Sequence, residues 1–70
     1  MKKYAVIPEG TTGELIDLTI GKKYEIVGYW DELTILLGLR FTIVDDVGDK
    51  RDCLEKYCSF LNNQNWKIQQ

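Results

Sequence analysis

Apolar and polar positions alternate most regularly between Leu39 and Leu54. Leu39, Phe41 and Ile43 interleave with Arg40, Thr42 and Val44, the period-2 pattern of a strand with one buried face. Asp45-Asp46-Val47-Gly48 fits a type I turn, with Asp favoured at its start and Gly48 free to take the positive φ that closes a bulged hairpin. Lys50 to Leu54 is charged and then apolar, as a half-exposed return strand should be. The pattern therefore predicts a central β-hairpin, which needs partners because a hairpin alone is marginal in water.

The rest of the chain supplies candidates. Lys3 to Ile7 is rich in β-formers and ends at Pro8, which cannot donate to a ladder. Pro8 to Gly13 is a cluster of loop residues, and Glu14 to Leu18 is too short for a helix, so it reads as an ordered loop with apolar anchors. Thr19 to Lys22 signals a turn in which Gly21 takes a positive φ. Lys23 to Trp30 is a second strand, with Tyr24, Ile26, Gly28 and Trp30 on one face; Gly28 marks a bulge or sharp bend. Asp31 and Glu32 break it, and Leu33 to Gly38 either extends it or starts the next strand, in a long hairpin whose tip is Asp31-Glu32. Leu54, Tyr57, Cys58 and Leu61 follow helical spacing, and Asp52 with Glu55 matches a capping box, so a helical turn is expected there. Trp66 to Ile68 alternates as a short last strand that closes on the first.

About five short strands and one late helical turn outline a mainly β fold, a small five-stranded antiparallel barrel spanning residues 1–70 as one domain. Composition agrees: 44% of the 70 residues are hydrophobic and eight are aromatic (two Trp, four Tyr, two Phe), enough for a core. Net charge is −2, too near balance to favour phosphates or an anionic membrane. Two cysteines, no hydrophobic region of signal-peptide length and no stretch of membrane-span length lead to the expectation of a reduced protein of the cytoplasm.

Two blocks of residues carry a resemblance. Leu18-Thr19-Ile20-Gly21-Lys22-Lys23-Tyr24-Glu25-Ile26 and Phe41-Thr42-Ile43-Val44-Asp45-Asp46-Val47-Gly48-Asp49 are similar, in composition and spacing, to the small SH3-like barrel proteins of tailed phages and prophages. The resemblance runs over roughly residues 3 to 68. It implies an SH3-like barrel with a helical turn before the last strand, a phage origin and hence a host-cell cytoplasmic location. It implies no catalytic activity. The chain departs from the pattern in a more apolar Leu33–Leu39 segment and a longer Cys53–Asn65 region, and the groove residues of proline-rich-peptide binders have no counterparts here.

Searching for chemistry returns little. Without histidine the chain lacks the usual neutral-pH base, the nucleophile pairs built on it and most catalytic zinc sets. Cys53 and Cys58 are not spaced as CxxC and read as buried structural thiols. Asp45, Asp46, Asp49 and Asp52 do not match a calcium loop and read as a solvated hairpin tip. The glycines match no nucleotide-binding fingerprint. The expectation is a non-enzyme with neither cofactor nor metal.

Binding remains. Trp30, Leu33, Ile35, Leu36, Leu37 and Leu39 exceed what so small a core can hold, and a surplus left outside marks an interface. The expected contact set is Trp30, Ile35 and Leu37 as anchors, Tyr29 flanking, and Asp31 and Glu32 at the rim. Its partner would be a host or phage protein that the chain modulates or inhibits. One rival is nucleic-acid binding through Lys22, Lys23 and Arg40; another is a homodimer or larger homo-oligomer built on Leu33–Gly38.

Overall fold

The computed structural model describes residues 2–34 and 38–70, with backbone alone for residues 29–34. Six strands are assigned: β1 (Tyr4–Val6), β2 (Lys23–Glu25), β3 (Gly28–Thr34), β4 (Gly38–Val44), β5 (Lys50–Leu54) and β6 (Lys67–Gln69), with a 3-10 turn at Ser59–Leu61. They form two three-stranded antiparallel sheets, ordered β2-β1-β6 and β3-β4-β5. The fold is mainly β, as the alternation predicts, with six short strands in two small antiparallel sheets where five in one were expected.

The central hairpin forms as expected. Phe41 faces Cys53 and Ile43 faces Arg51 across β4 and β5. The turn closes with Gly48 N–H donating to the Asp45 carbonyl at 3.2 Å, and Gly48 takes a φ of 90° that an L side chain resists. The last strand does close on the first, with Ala5 opposite Ile68.

The expected second strand, Lys23 to Trp30, is instead divided between the sheets. Ile26 N–H donates to the Lys3 carbonyl at 2.9 Å, and the next amide, Val27 N–H, donates to the Thr42 carbonyl at 2.9 Å. Adjacent amides thus serve different sheets, and the corner lies just before Gly28 rather than at it. Asp31 and Glu32 do not break the strand either. β3 runs through them to Thr34, which pairs with Gly38, with a register irregularity between Trp30 and Thr34. A tip at Asp31-Glu32 is therefore excluded; Ile35, Leu36 and Leu37, where the connection falls, lie outside the described residues.

The helical spacing around Tyr57 is a coincidence of composition. Tyr57 is exposed at a φ of 56°, and Glu55 uses its carboxylate to accept the Leu39 N–H at 3.1 Å rather than to cap a helix. The turn that does precede the last strand is later and shorter, and it buries Leu61.

Trp66 joins the two sheets. Its ring lies edge-on to Tyr24 of β2 at 6.1 Å and to Phe41 of β4 at 5.7 Å. Around it the core gathers Ala5, Ile7, Leu18, Ile43, Cys53, Cys58 and Leu61. A domain of this size has a stability of a few kcal/mol, so the aromatic cluster decides whether it folds. Phe41→Ala should cost about 3–5 kcal/mol and leave the chain largely unfolded at 25 °C, a result checked by urea denaturation followed by circular dichroism.

Candidate functional site

The acidic hairpin tip is a structural hub rather than a solvated run. In an antiparallel pair, residues directly opposite share a face, so Arg51, opposite buried Ile43, is aimed along the core side of β5. Its Nε donates to Asp45 Oδ2 at 2.8 Å, and the Asp45 side chain is only 1% exposed. The other Asp45 oxygen accepts the Val47 and Asp49 amides at 3.0 and 2.9 Å. Burial alone would push this carboxyl up; the Asp49 amide, the Arg51 guanidinium and the Val47 amide outweigh it and hold it below the usual carboxylate range.

Asp46 ties the tip to the Thr19–Lys22 turn. Its carboxylate accepts Lys22 Nζ, Thr19 Oγ1 and the Tyr24 hydroxyl, each at 2.8 Å. Lys22, then Thr19 and Tyr24, draw its carboxyl down to about 2. The Tyr24 hydroxyl in turn accepts the Thr19 N–H at 2.7 Å, while burial pushes its own pKa up. Asp46 N–H also donates to the Asp17 carbonyl at 2.9 Å. These bonds hold the loop over residues 14–22 against the hairpin.

A groove of about 300 Å³ opens beside this hub, lined by Glu14 and Ile16 from the loop, Ser59, Phe60 and Asn62 from the 3-10 turn, and Arg51. Arg51 stacks over the Phe60 ring at 4.9 Å and approaches Asp17 at 3.9 Å. On the far side, Asn62 Nδ2 donates to the Thr12 and Glu14 carbonyls at 3.1 and 3.2 Å, and Gln64 exchanges two hydrogen bonds with the Thr12 backbone. Gly13 is required here: its φ is 90° and any Cβ would overlap the Asn62 amide. Ile16 is 64% exposed and Phe60 38%, so two apolar walls stand open on a polar frame. The charged groups lining the groove are Glu14 and Arg51, and Arg51 is already paired with Asp45 and close to Asp17. Glu14 makes no ion pair among the described residues.

The groove was not visible in the sequence. Tyr29, Trp30, Asp31 and Glu32 stand on the β3 backbone, their side chains outside the described residues, and Ile35 and Leu37 lie wholly outside them. The basic set does not converge. Lys22 is held by Asp46 at the tip, Arg40 lies 3.8 Å from Asp52 and, by strand rise, about 15–20 Å back along the hairpin, and Lys23 sits over the Tyr4 ring at 5.9 Å. Among the described residues there is no group of three or more Cys, Asp or Glu placed to hold a metal, and no helix long and apolar enough to cross a membrane. Comparison with known proteins finds no matching family model, no similar curated protein and no similar solved structure.

The hub sets the acid response. Asp46 titrates lower in the folded chain than its ordinary 3.8, so its contribution is complete above that value and is lost as pH falls through about 2. Asp45 acts in the same direction. Thermal melts between pH 5 and pH 2 should therefore show falling stability, with a shallower fall in Asp46→Asn. At neutral pH, Tyr24→Phe, which removes only the hydroxyl between Thr19 and Asp46, should cost about 1–2 kcal/mol in urea denaturation.

Proposed function

We propose that this chain is a non-enzymatic protein-binding module, a small SH3-like barrel of phage origin that modulates or inhibits a host protein by occupying its surface. The observation that carries the binding reading is the groove between Ile16 and Phe60, apolar at its walls and with the Glu14 carboxylate at its edge. Large apolar side chains left half open on a rigid frame are the usual anchor points of an interface. Charge complementarity selects the partner segment: an apolar side chain seated between Ile16 and Phe60, followed by a lysine or arginine that reaches Glu14. The barrel reading is supported by the change of sheet between Ile26 and Val27 and by the shared core around Trp66. Phage origin rests on the resemblance of the Leu18–Ile26 and Phe41–Asp49 blocks alone.

The β3–β4 connection remains a second contact surface within the same reading, with Trp30, Ile35 and Leu37 as its anchors. Nucleic-acid binding has less support, because Lys22 and Arg40 already face carboxylates.

The test is affinity capture from a nuclease-treated bacterial lysate, followed by titration of the captured protein against variants. Ile16→Asp, which leaves the Arg51–Phe60 contact in place, should weaken binding by about 2 kcal/mol, near thirtyfold, with little change in melting temperature. Loss in Leu37→Asp with Ile16→Asp unaffected would move the contact to the β3–β4 connection. Nucleic acid co-purifying without nuclease, and no protein with it, would overturn the reading.

A further inference from the structure

The net charge of −2 conceals a local segregation of sign. Across sheet β2-β1-β6, Ala5, Tyr24 and Ile68 stand in one row and turn toward the core. The rows on either side of it therefore turn outward: Tyr4 with Glu25 and Gln69, and Val6 with Lys23 and Lys67. Lys2 reaches the same face, its ammonium 3.4 Å from Glu25, the one carboxylate in these rows. Lys2 thus neutralises Glu25 and leaves Lys23 and Lys67 in excess. Neither makes an ion pair among the described residues. The remaining acids belong to the loop over residues 8–22, or to sheet β3-β4-β5 and its connections.

The two lysines are exposed and stand on the strands either side of Val6, so their Cα atoms are about 10 Å apart. Val6 points outward yet is only 8% exposed, flanked on both sides by lysine stems. Two residues back along β1, Tyr4 is half-buried, with Lys23 Nζ 5.9 Å from the centre of its ring. Spaced ammoniums beside an aromatic ring suit a ligand with repeated anions and flat apolar faces. A single strand of nucleic acid has both, phosphates for the lysines and bases to stack on the ring. The flexible Lys23 stem lets its ammonium move from the ring to a phosphate as a base takes its place. A bilayer surface fits less well, because Val6 is covered and these rows hold no other aliphatic side chain to enter it. An acidic polypeptide would supply the charges without the stacking faces.

We propose that the outward face of sheet β2-β1-β6 binds single-stranded nucleic acid without sequence preference, Lys23 and Lys67 holding phosphates and Tyr4 stacking a base. The surface uses neither Lys22 nor Arg40, which face carboxylates. It shares no residue with the Ile16–Phe60 groove, so it stands whether or not the groove takes a protein.

The experiment titrates the folded chain into fluorescein-labelled oligothymidylate of about 12 nucleotides and follows anisotropy across a salt series. Two phosphate contacts set the slope of log affinity against log salt at about −1.4, and Lys67→Gln should halve it. Tyr4→Leu should keep the slope and weaken binding about tenfold, the loss of one stacked base. Ile16→Asp should bind as the wild type does. If circular dichroism shows Tyr4→Leu unfolded, Lys23→Gln at an exposed position takes its place, and it too should halve the slope. No binding at low salt, or a slope that the lysine substitutions leave unchanged, would overturn the proposal. So would inorganic polyphosphate bound as tightly as the oligonucleotide, or anionic vesicles bound in its stead.

Discussion

The guanidinium of Arg51 is shared among three parts of the chain: the buried Asp45 carboxylate of its own hairpin, Asp17 of the preceding loop and the ring of Phe60 in the 3-10 turn. Removing one partner of a buried pair leaves the other charge uncompensated in a poor solvent for it. The hairpin register is fixed by the same pair. A slip of one residue would turn Arg51 to the outer face and leave Asp45 buried alone. Asp46 then extends the hold to Thr19, Lys22 and Tyr24. A chain with little apolar area to bury thus orders a long loop through directed polar contacts.

Trp66 does the complementary work. It brings Tyr24 from one sheet and Phe41 from the other against one indole, so neither sheet has a complete core without it. The polar hub orders the loop and turn, and the aromatic cluster joins the layers. Tyr24 belongs to both, its ring in the core and its hydroxyl on Asp46.

What the sequence made legible follows from this division. The Leu39–Leu54 hairpin and the pairing of the last strand with the first were readable, because alternation and turn residues are local signals. The division at Ile26 and Val27 was not: alternation records which face a side chain takes, not which strand its amide serves. The acid-rich tip misled because composition treats four aspartates alike, while Asp45 is buried and Asp46 bridges elements. A signal was available in Arg51, which falls on the same face of its strand as Cys53. A charge on the core side asks for a buried partner. Nothing in the spacing of Ile16 and Phe60 announced a groove, since a loop and a turn far apart in the chain form it.

The way the loop is held has a consequence for how such a chain evolves. Thr12, Gly13, Thr19, Tyr24, Asp46, Arg51, Asn62 and Gln64 fix its course, with the Phe60 ring under Arg51, whereas Ile16 mainly presents its surface outward. Arg51 and Asn62 both hold the frame and line the groove, but Ile16 only lines it. Substitutions at Ile16 can alter the surface of the groove while leaving the frame intact, so a lineage carrying this fold can vary that surface without first having to rebuild its stability.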